Sequence, residues 1–246
     1  NLIAGSNNVA FGEQALSTDR NGSHSTALGH AALASQDFAT ATDSNNTAVG
    51  YNAGLLVTTG VLNTLVGSLA GDALTVGNSN VAVGTLALTT DTKGDQSVAI
   101  GNNALSAQNF TTSVDAYNVA VGAEAGNDIT TGQRNVIMGG RAGHKLTDCS
   151  HNTGIGDQAL TTDTLGGKST AVGSGALATQ NFTTATDSFN TAVGYYASVG
   201  ITTGRYNTIV GALCCGSMTT NVEMTAVGYG LAATSQTGRA REIVIG

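Results

Sequence analysis

The chain of 246 residues contains no proline and no tryptophan, and only 10% of its residues are charged. So little charge, combined with 41% hydrophobic residues, excludes an intrinsically disordered chain. Aromatic residues make up just 4% of the chain, and much of the apolar fraction is alanine and valine. The core must therefore be thin and built from small side chains, which predicts an elongated body rather than one large hydrophobic cluster.

Basic residues are scarce as well. The chain has nine lysines and arginines and a net charge of −7, without the basic stripe that phosphate contacts need, which excludes nucleic acid as a partner. Because no apolar run approaches the roughly 18 residues of a membrane span, we expect no membrane insertion. The three cysteines, Cys149, Cys214 and Cys215, cannot form a closed disulfide framework, and we interpret them as small buried residues.

Residues that would carry catalysis or bind a metal are not gathered in one place. The histidines His24, His30, His144 and His151 lack metal-ligand spacing. Aspartates recur in phase with the repeat described below, which spreads equivalent carboxylates along the chain instead of pairing two of them as a glycosidase requires. We predict that the chain is not an enzyme and binds no cofactor or metal.

Glycine, in contrast, is abundant, with 34 residues. A motif close to Asn-(Thr/Val)-Ala-Val-Gly recurs along the chain with 17 residues between successive glycines, or 21 in every fourth interval. Four intervals span 72 residues, which predicts blocks 29–100, 101–172 and 173–245 within a single repeat domain, residues 1–246. The predicted turn glycines are Gly50, Gly67, Gly84, Gly101, Gly122, Gly139, Gly156, Gly173, Gly194 and Gly211.

The residues around each glycine predict a short strand followed by a corner. The residue before the glycine is Val, Ile, Leu, Met or Phe in every copy, and we expect it to face the core. The residue two places earlier is β-branched and shares that face, while the intervening residue, usually alanine, would point outward. The glycine would supply a positive φ at the corner, and the asparagine four places before it is typical of a turn or of a stacked amide ladder.

Strands that are apolar on both faces are typical of parallel sheets, which need a crossover between neighbouring strands. A step of 17 residues is short for a β-α-β unit and shows no helical periodicity. The sequence therefore predicts an all-β fold, a parallel β-solenoid of 13 to 14 coils.

Three segments carry a family resemblance: Asn-Thr-Ala-Val-Gly-Tyr-Asn-Ala-Gly at 46–54, and the Thr-Thr-Gly segments at 58–67 and 202–211. They resemble the β-solenoid repeats of bacteriophage tail fibres and tailspikes, which are similar to the head repeats of trimeric autotransporter adhesins. The resemblance covers essentially the whole chain and implies a left-handed solenoid, a homotrimer, other tail or fibre proteins as partners, and a place in the virion tail. A bacterial cell surface is the alternative location. The chain is expected to be a piece of a longer protein.

The 21-residue coils each contain a four-residue insertion with an aromatic residue beside Gln, Asp and Thr. Such a grouping is typical of sugar contacts, and regular rows suit multivalent binding to a cell-surface glycan. A repeated structural brace would give the same pattern. The candidate receptor contacts are Gln36, Phe38, Gln108, Phe110, Tyr117, Gln180, Phe182 and Phe189.

These observations favour a structural or adhesive fibre segment that serves as a rigid shaft and as a host-contacting surface. A bacterial adhesin head is one alternative. A tailspike that cleaves glycans is a second. An ice-binding solenoid is a third, based on Thr pairs such as 58–59, 130–131 and 202–203.

Overall fold

A computed structural model describes residues 4–231 and 241–246. The fold is an all-β parallel β-solenoid of about 13 turns spaced about 17 residues apart, which confirms the predicted fold class. Its described residues form no helix, and so none that could cross a membrane. The chain divides into two compact units, Asn1–Asn118 and Val119–Gly246.

In the described part of unit 1, six three-residue strands pair in parallel, each with its counterpart in the next coil: β1 (Val9–Phe11), β3 (Thr26–Leu28), β5 (Thr47–Val49), β6 (Thr64–Val66), β7 (Val81–Val83) and β9 (Val98–Ile100). Two-residue strands form two smaller parallel pairs: β2 (Gly22–Ser23) with β4 (Thr42–Asp43), and β8 (Gly94–Asp95) with β10 (Val114–Asp115). The smaller pairs mark the 21-residue coils.

In the described part of unit 2, eight three-residue strands pair in the same way: β11 (Val119–Val121), β12 (Val136–Met138), β13 (Thr153–Ile155), β15 (Thr170–Val172), β17 (Thr191–Val193), β18 (Thr208–Val210), β19 (Thr225–Val227) and β20 (Ile243–Ile245). The smaller pair is β14 (Gly166–Gly167) with β16 (Thr186–Asp187). Equivalent residues of neighbouring coils pair, as Val136 with Thr153, so the register follows the repeat.

The turn glycines stack over one another within each unit, as the repeat predicts. Gly67 adopts φ +138°, and a Cβ built on it would lie 2.5 Å from the carbonyl oxygen of Gly84 in the next coil. A Cβ on Gly139 (φ +134°) would lie equally close to the carbonyl of Gly156. Any side chain would therefore collide with the backbone of the following coil, in addition to the strain of a left-handed conformation.

The predicted orientation of the strands is wrong. Strand-centre residues such as Ala48, Ala120 and Ile137 are fully buried, whereas the residue before each turn glycine is partly or well exposed in every coil. Alternation along the strand separates two sets of side chains, but both sets are apolar in this sequence, so the pattern alone does not say which set is enclosed. The interior encloses the strand centres, most of which are alanine, and leaves the residues that flank them at the surface.

Large side chains enter the interior at two alternative positions. In some coils a leucine stands four residues after the turn glycine, as Leu88 and Leu160 do, and is fully buried. In others that position is glycine, and a buried residue three places further on fills the space, as Leu146 does after Gly143. A Cβ on Gly143 would lie 2.7 Å from a methyl group of Leu146. Each such coil places a large apolar side chain at one of the two positions, and the core stays close-packed.

The asparagines that stand four places before most of the turn glycines form a ladder of side-chain amides. Asn63 Nδ2 donates a hydrogen bond to the carbonyl of Gly77 (2.8 Å), and its Oδ1 accepts one from the backbone N–H of Asn80 (2.9 Å). In unit 2, Asn152 bonds in the same way to Gly166 and Ser169 (both 2.9 Å). The amides thus satisfy backbone groups at the corner, which a buried turn requires. The asparagine itself was expected to form a left-handed turn, but the residue with a positive φ is the one before it in the sequence.

Candidate functional site

Most of the predicted receptor contacts lie in the interior. Gln36, Gln108 and Gln180 are 0% exposed, and Phe38, Phe110 and Phe182 are at most 5% exposed. These six side chains present no surface to a receptor, which corrects the prediction. Tyr117 and Phe189, at 41% and 45% exposed, do lie on the surface.

The buried glutamine belongs to a hydrogen-bond network that repeats once per block. Gln108 Nε2 donates to Asp91 Oδ2 (2.6 Å) and to Ser97 Oγ (2.9 Å), and Gln108 Oε1 accepts from Asn118 Nδ2 (2.8 Å). Asp91 Oδ1 also accepts from the backbone N–H of Gly94 (3.0 Å) and of Phe110 (3.1 Å). The motif that resembled a sugar site is therefore a brace that closes the long coil.

The other two blocks contain the same brace. Gln36 Nε2 donates to Asp19 Oδ2 (2.7 Å), and Gln180 Nε2 donates to Asp163 Oδ2 (2.5 Å). Burial raises the pKa of the Asp163 carboxyl above its ordinary value, against the lowering effect of the hydrogen bond from Gln180. Since the bonds are repeated, the brace is structural in each block.

The exposed part of each long coil is the insertion itself. Residues 39–41, 111–113 and 183–185 are all exposed. They are followed by exposed aspartates, Asp43, Asp115 and Asp187. Small and hydroxylated residues, rather than the predicted aromatic ones, therefore form the projecting surface.

A variable column stands beside the insertions, at the left-handed residue before each ladder position. In unit 2 it is occupied by charged and aromatic residues, Arg134, His151, Lys168, Phe189, Tyr206, Glu223 and Arg241, all at positive φ. In unit 1 the same position carries residues such as Asn45, Leu62 and Gln96. In the sequence, this column is visible as one position of the repeat where the residue type varies while the positions on either side of it recur.

Three residues of the unit 2 column, together with the neighbouring Arg205, form a cation–aromatic stack. Lys168 Nζ lies 5.2 Å from the centre of the Phe189 ring, and that ring stacks on Tyr206 at 5.5 Å and 12°. The Arg205 guanidinium carbon lies 5.7 Å from the centre of the Tyr206 ring. Lys168 Nζ also donates to Asp187 Oδ2 (2.6 Å). These contacts hold the long cationic side chains in defined positions.

An open groove of about 530 Å³ lies against this stack, and we call it the Lys168 groove. It is lined by Asp148, Cys149, Ser150, His151, Leu165, Gly167, Lys168, Ala185, Thr186, Asp187, Arg205 and Tyr206. Hydrogen bonds from Thr130 and Thr131 lower the pKa of the Asp148 carboxyl, so this side chain is an acceptor at neutral pH. Burial raises the pKa of the Cys149 thiol to about 12, so it stays protonated and is a poor nucleophile.

The second surface feature is the outer side of the three-residue strands, which we call the aliphatic face. It consists of the residue before each turn glycine and the residue two places earlier. In unit 2, Met138, Ile155, Val193, Val210 and Val227 are 37–40% exposed on it. The described strands of unit 2 place no charged side chain on this face.

Residues 4–231 and 241–246 contain no group of three His, Cys, Asp or Glu side chains arranged to hold a metal ion. The threonine pairs of the ice-binding alternative use their hydroxyls between coils, as Thr58 Oγ1 does in donating to the carbonyl of Thr75 (3.0 Å). Comparisons with protein-family models, with curated proteins and with solved structures find no match to this chain.

Proposed function

We propose that the chain is a shaft segment of a host-contacting fibre of the phage tail-fibre type, in which three copies pack side by side through the aliphatic face. The supporting observation is that face. Valine, isoleucine and methionine side chains more than a third exposed recur from coil to coil in unit 2. A row of exposed apolar side chains that runs along a soluble protein is typical of an interface.

The sequence chemistry of the face favours further copies of the same chain as its occupant. The outward positions alternate between threonine or valine and a larger aliphatic residue, as in Thr191 and Val193. Because the pattern recurs with the coil, identical faces offer the same spacing to each other around a symmetry axis. A partner of unrelated sequence would not be expected to present contacts that repeat with the same period.

The oligomeric state tests the proposal. Light scattering after size-exclusion chromatography should give three times the chain mass of 24.4 kDa. Val193→Lys combined with Val210→Lys should reduce the mass to that of one chain, because six buried ammonium groups per trimer would have no partners. Both side chains point out of the coil, so circular dichroism should show that the fold of the chain is retained.

The matched control is Thr183→Lys combined with Thr184→Lys, which adds the same charge to an exposed insertion. It should leave the trimer intact. A wild-type monomer, or a trimer indifferent to lysine at both face positions, would exclude this assembly.

A second candidate, ice binding, would use the same face. Five consecutive coils of unit 2 present an outward threonine, namely Thr153, Thr170, Thr191, Thr208 and Thr225. The two functions compete, because a trimer that buries the face removes it from water. Thermal hysteresis from a wild-type monomer, lost in Thr191→Lys, would favour ice binding over the fibre.

A further inference from the structure

The three smaller strand pairs, β2–β4, β8–β10 and β14–β16, differ at the last residue of their first strand. In the pair β8–β10 that residue is Asp95, whose carboxylate accepts hydrogen bonds from the backbone N–H of Asn78 (2.6 Å) and from Ser113 Oγ (2.5 Å). In the pair β2–β4 it is Ser23, whose Oγ accepts from the backbone N–H of Ser6 (3.1 Å). In both pairs a side chain bonds to the preceding coil.

The pair β14–β16 lacks that side chain. The residue 72 places after Asp95 is Gly167, and the residue 72 places after Ser113 is Ala185. Gly167 has no left-handed φ that would require glycine, and a Cβ built on it would lie 3.2 Å from its nearest neighbour, the carbonyl oxygen of Ser150. Glycine is therefore not demanded by the backbone here. Gly167 and Ala185 both line the Lys168 groove, so the groove lies where the other two strand pairs carry a bonded side chain.

The opened space carries polar groups of both kinds. Lys168 and Arg205 supply donors, and Asp148 and Asp187 supply acceptors. Two carboxylates against two permanent cations leave the groove without a dominant charge, so it exerts little pull on a polyanion. Within the described residues no carboxylate lies in ion-pair distance of Arg205. Its guanidinium can therefore donate to a ligand.

The remaining lining is apolar or amphipathic. Leu165 and Ala185 give hydrocarbon surface, and Tyr206 adds an aromatic side chain with a hydroxyl. A volume of about 530 Å³ falls within the range of about 300–1,000 Å³ of small-molecule sites. Hydrogen-bond donors and acceptors beside apolar side chains match a molecule that has many hydroxyls on a hydrocarbon ring.

We infer that the Lys168 groove binds an uncharged saccharide, with Arg205, Lys168 and Asp187 bonding its hydroxyls. This deepens the proposed function, because it gives the host-contacting segment a ligand class. It does not depend on the assembly, since every lining residue belongs to one chain. The mass of the same sample, measured in parallel, keeps a failed trimer distinct from a failed saccharide site.

The test is saturation-transfer NMR and calorimetry on the full chain with lactose, maltotriose, cellotriose, mannotriose and chitotriose. Sialyllactose and trigalacturonate serve as acidic counterparts. At least one neutral probe should bind. Gly167→Asp, which copies Asp95 and fills the groove, should weaken that binding at least tenfold. Arg205→Gln copies Gln133, the residue 72 places earlier, and should weaken it about threefold or more.

Arg20→Gln is the matched control, since it removes an exposed arginine of unit 1 and should leave binding unchanged. If Gly167→Asp fails to fold, the Arg205→Gln result decides. Three outcomes would overturn the inference: no neutral probe binds, only the acidic probes bind, or binding survives both groove substitutions undiminished.

Discussion

At the turn glycines the backbones of neighbouring coils approach more closely than any side chain permits. The carbonyl of one glycine occupies the place where a Cβ of the preceding glycine would lie, in both units. The asparagine ladder complements this contact by satisfying the buried backbone groups of the corner. Single residues thus set the spacing between coils, and their effects can be tested one at a time.

We expect Gly139→Ala to destabilise the fold strongly. The positive φ alone costs about 1–3 kcal/mol for a residue with a side chain, and the collision with Gly156 adds to that. The temperature of thermal unfolding, followed by circular dichroism, should fall clearly.

Gly216→Ala is the control for this substitution, because among the residues that the structure describes its Cβ would meet Val199 alone, at an ordinary 3.5 Å, and its φ is not left-handed. Its unfolding temperature should stay near the wild-type value. Equal effects of the two substitutions would contradict the stacking of the turn glycines.

Each three-residue strand between β1 and β20 has an enclosed centre and two outward flanks. The corner that follows the strand turns the chain so that the centre faces the leucine or isoleucine of the same coil and its neighbours. The same local pattern serves every coil, while the position of the large interior residue alternates between coils. Packing, rather than the pattern of the strand, therefore decides which residues tolerate change.

The neighbouring residues Ile137 and Met138 test this orientation directly. Ile137 is fully buried, so Ile137→Ala should lower the free energy of unfolding by about 2–5 kcal/mol through lost burial and a cavity. Met138 is 39% exposed, and Met138→Ala should cost less than about 1 kcal/mol. Denaturant unfolding in the Val193→Lys, Val210→Lys background measures the chain without its proposed partners.

The reverse order, with Met138→Ala the more damaging, would restore the orientation expected from the sequence. It would also remove the aliphatic face on which the proposed assembly is based.

At the scale of the whole molecule, the aliphatic face and the variable column differ in how regularly their residues repeat. The aliphatic face is repeated coil by coil, which suits an interface that identical chains share. The residue type of the variable column differs from coil to coil, which suits recognition of something other than the chain itself. In the proposed fibre segment, the aliphatic face would therefore be a uniform side that contacts the other copies, and the variable column would lie on a side that is free to contact a ligand.

A trimer also predicts a concentration-dependent unfolding temperature. Because only the folded state associates, raising the chain concentration should raise the temperature of reversible unfolding by mass action. A dilution series in differential scanning calorimetry measures this shift. The Val193→Lys, Val210→Lys variant should show the same temperature at every concentration, and a wild-type chain that behaved in that way would speak against association.

The sequence by itself determined the parallel solenoid, the length of its coils and the place of its corners. Glycine at a fixed interval leaves few ways to fold, and the Gly50 and Gly67 positions could be assigned from spacing alone. The prediction that the chain is not an enzyme stays a prediction.

Only the tertiary structure decided which side of each strand is enclosed, because both sides are apolar and their roles depend on how the corners curve the chain. The tertiary structure also showed that Gln108 and Phe110 are buried. The sequence shows that Gln108 is polar, but not that Asp91 and Ser97 accept its hydrogen bonds in the interior. The Lys168 groove likewise appears only in three dimensions. It arises where Gly167 omits a side chain that the equivalent residues of the other blocks supply.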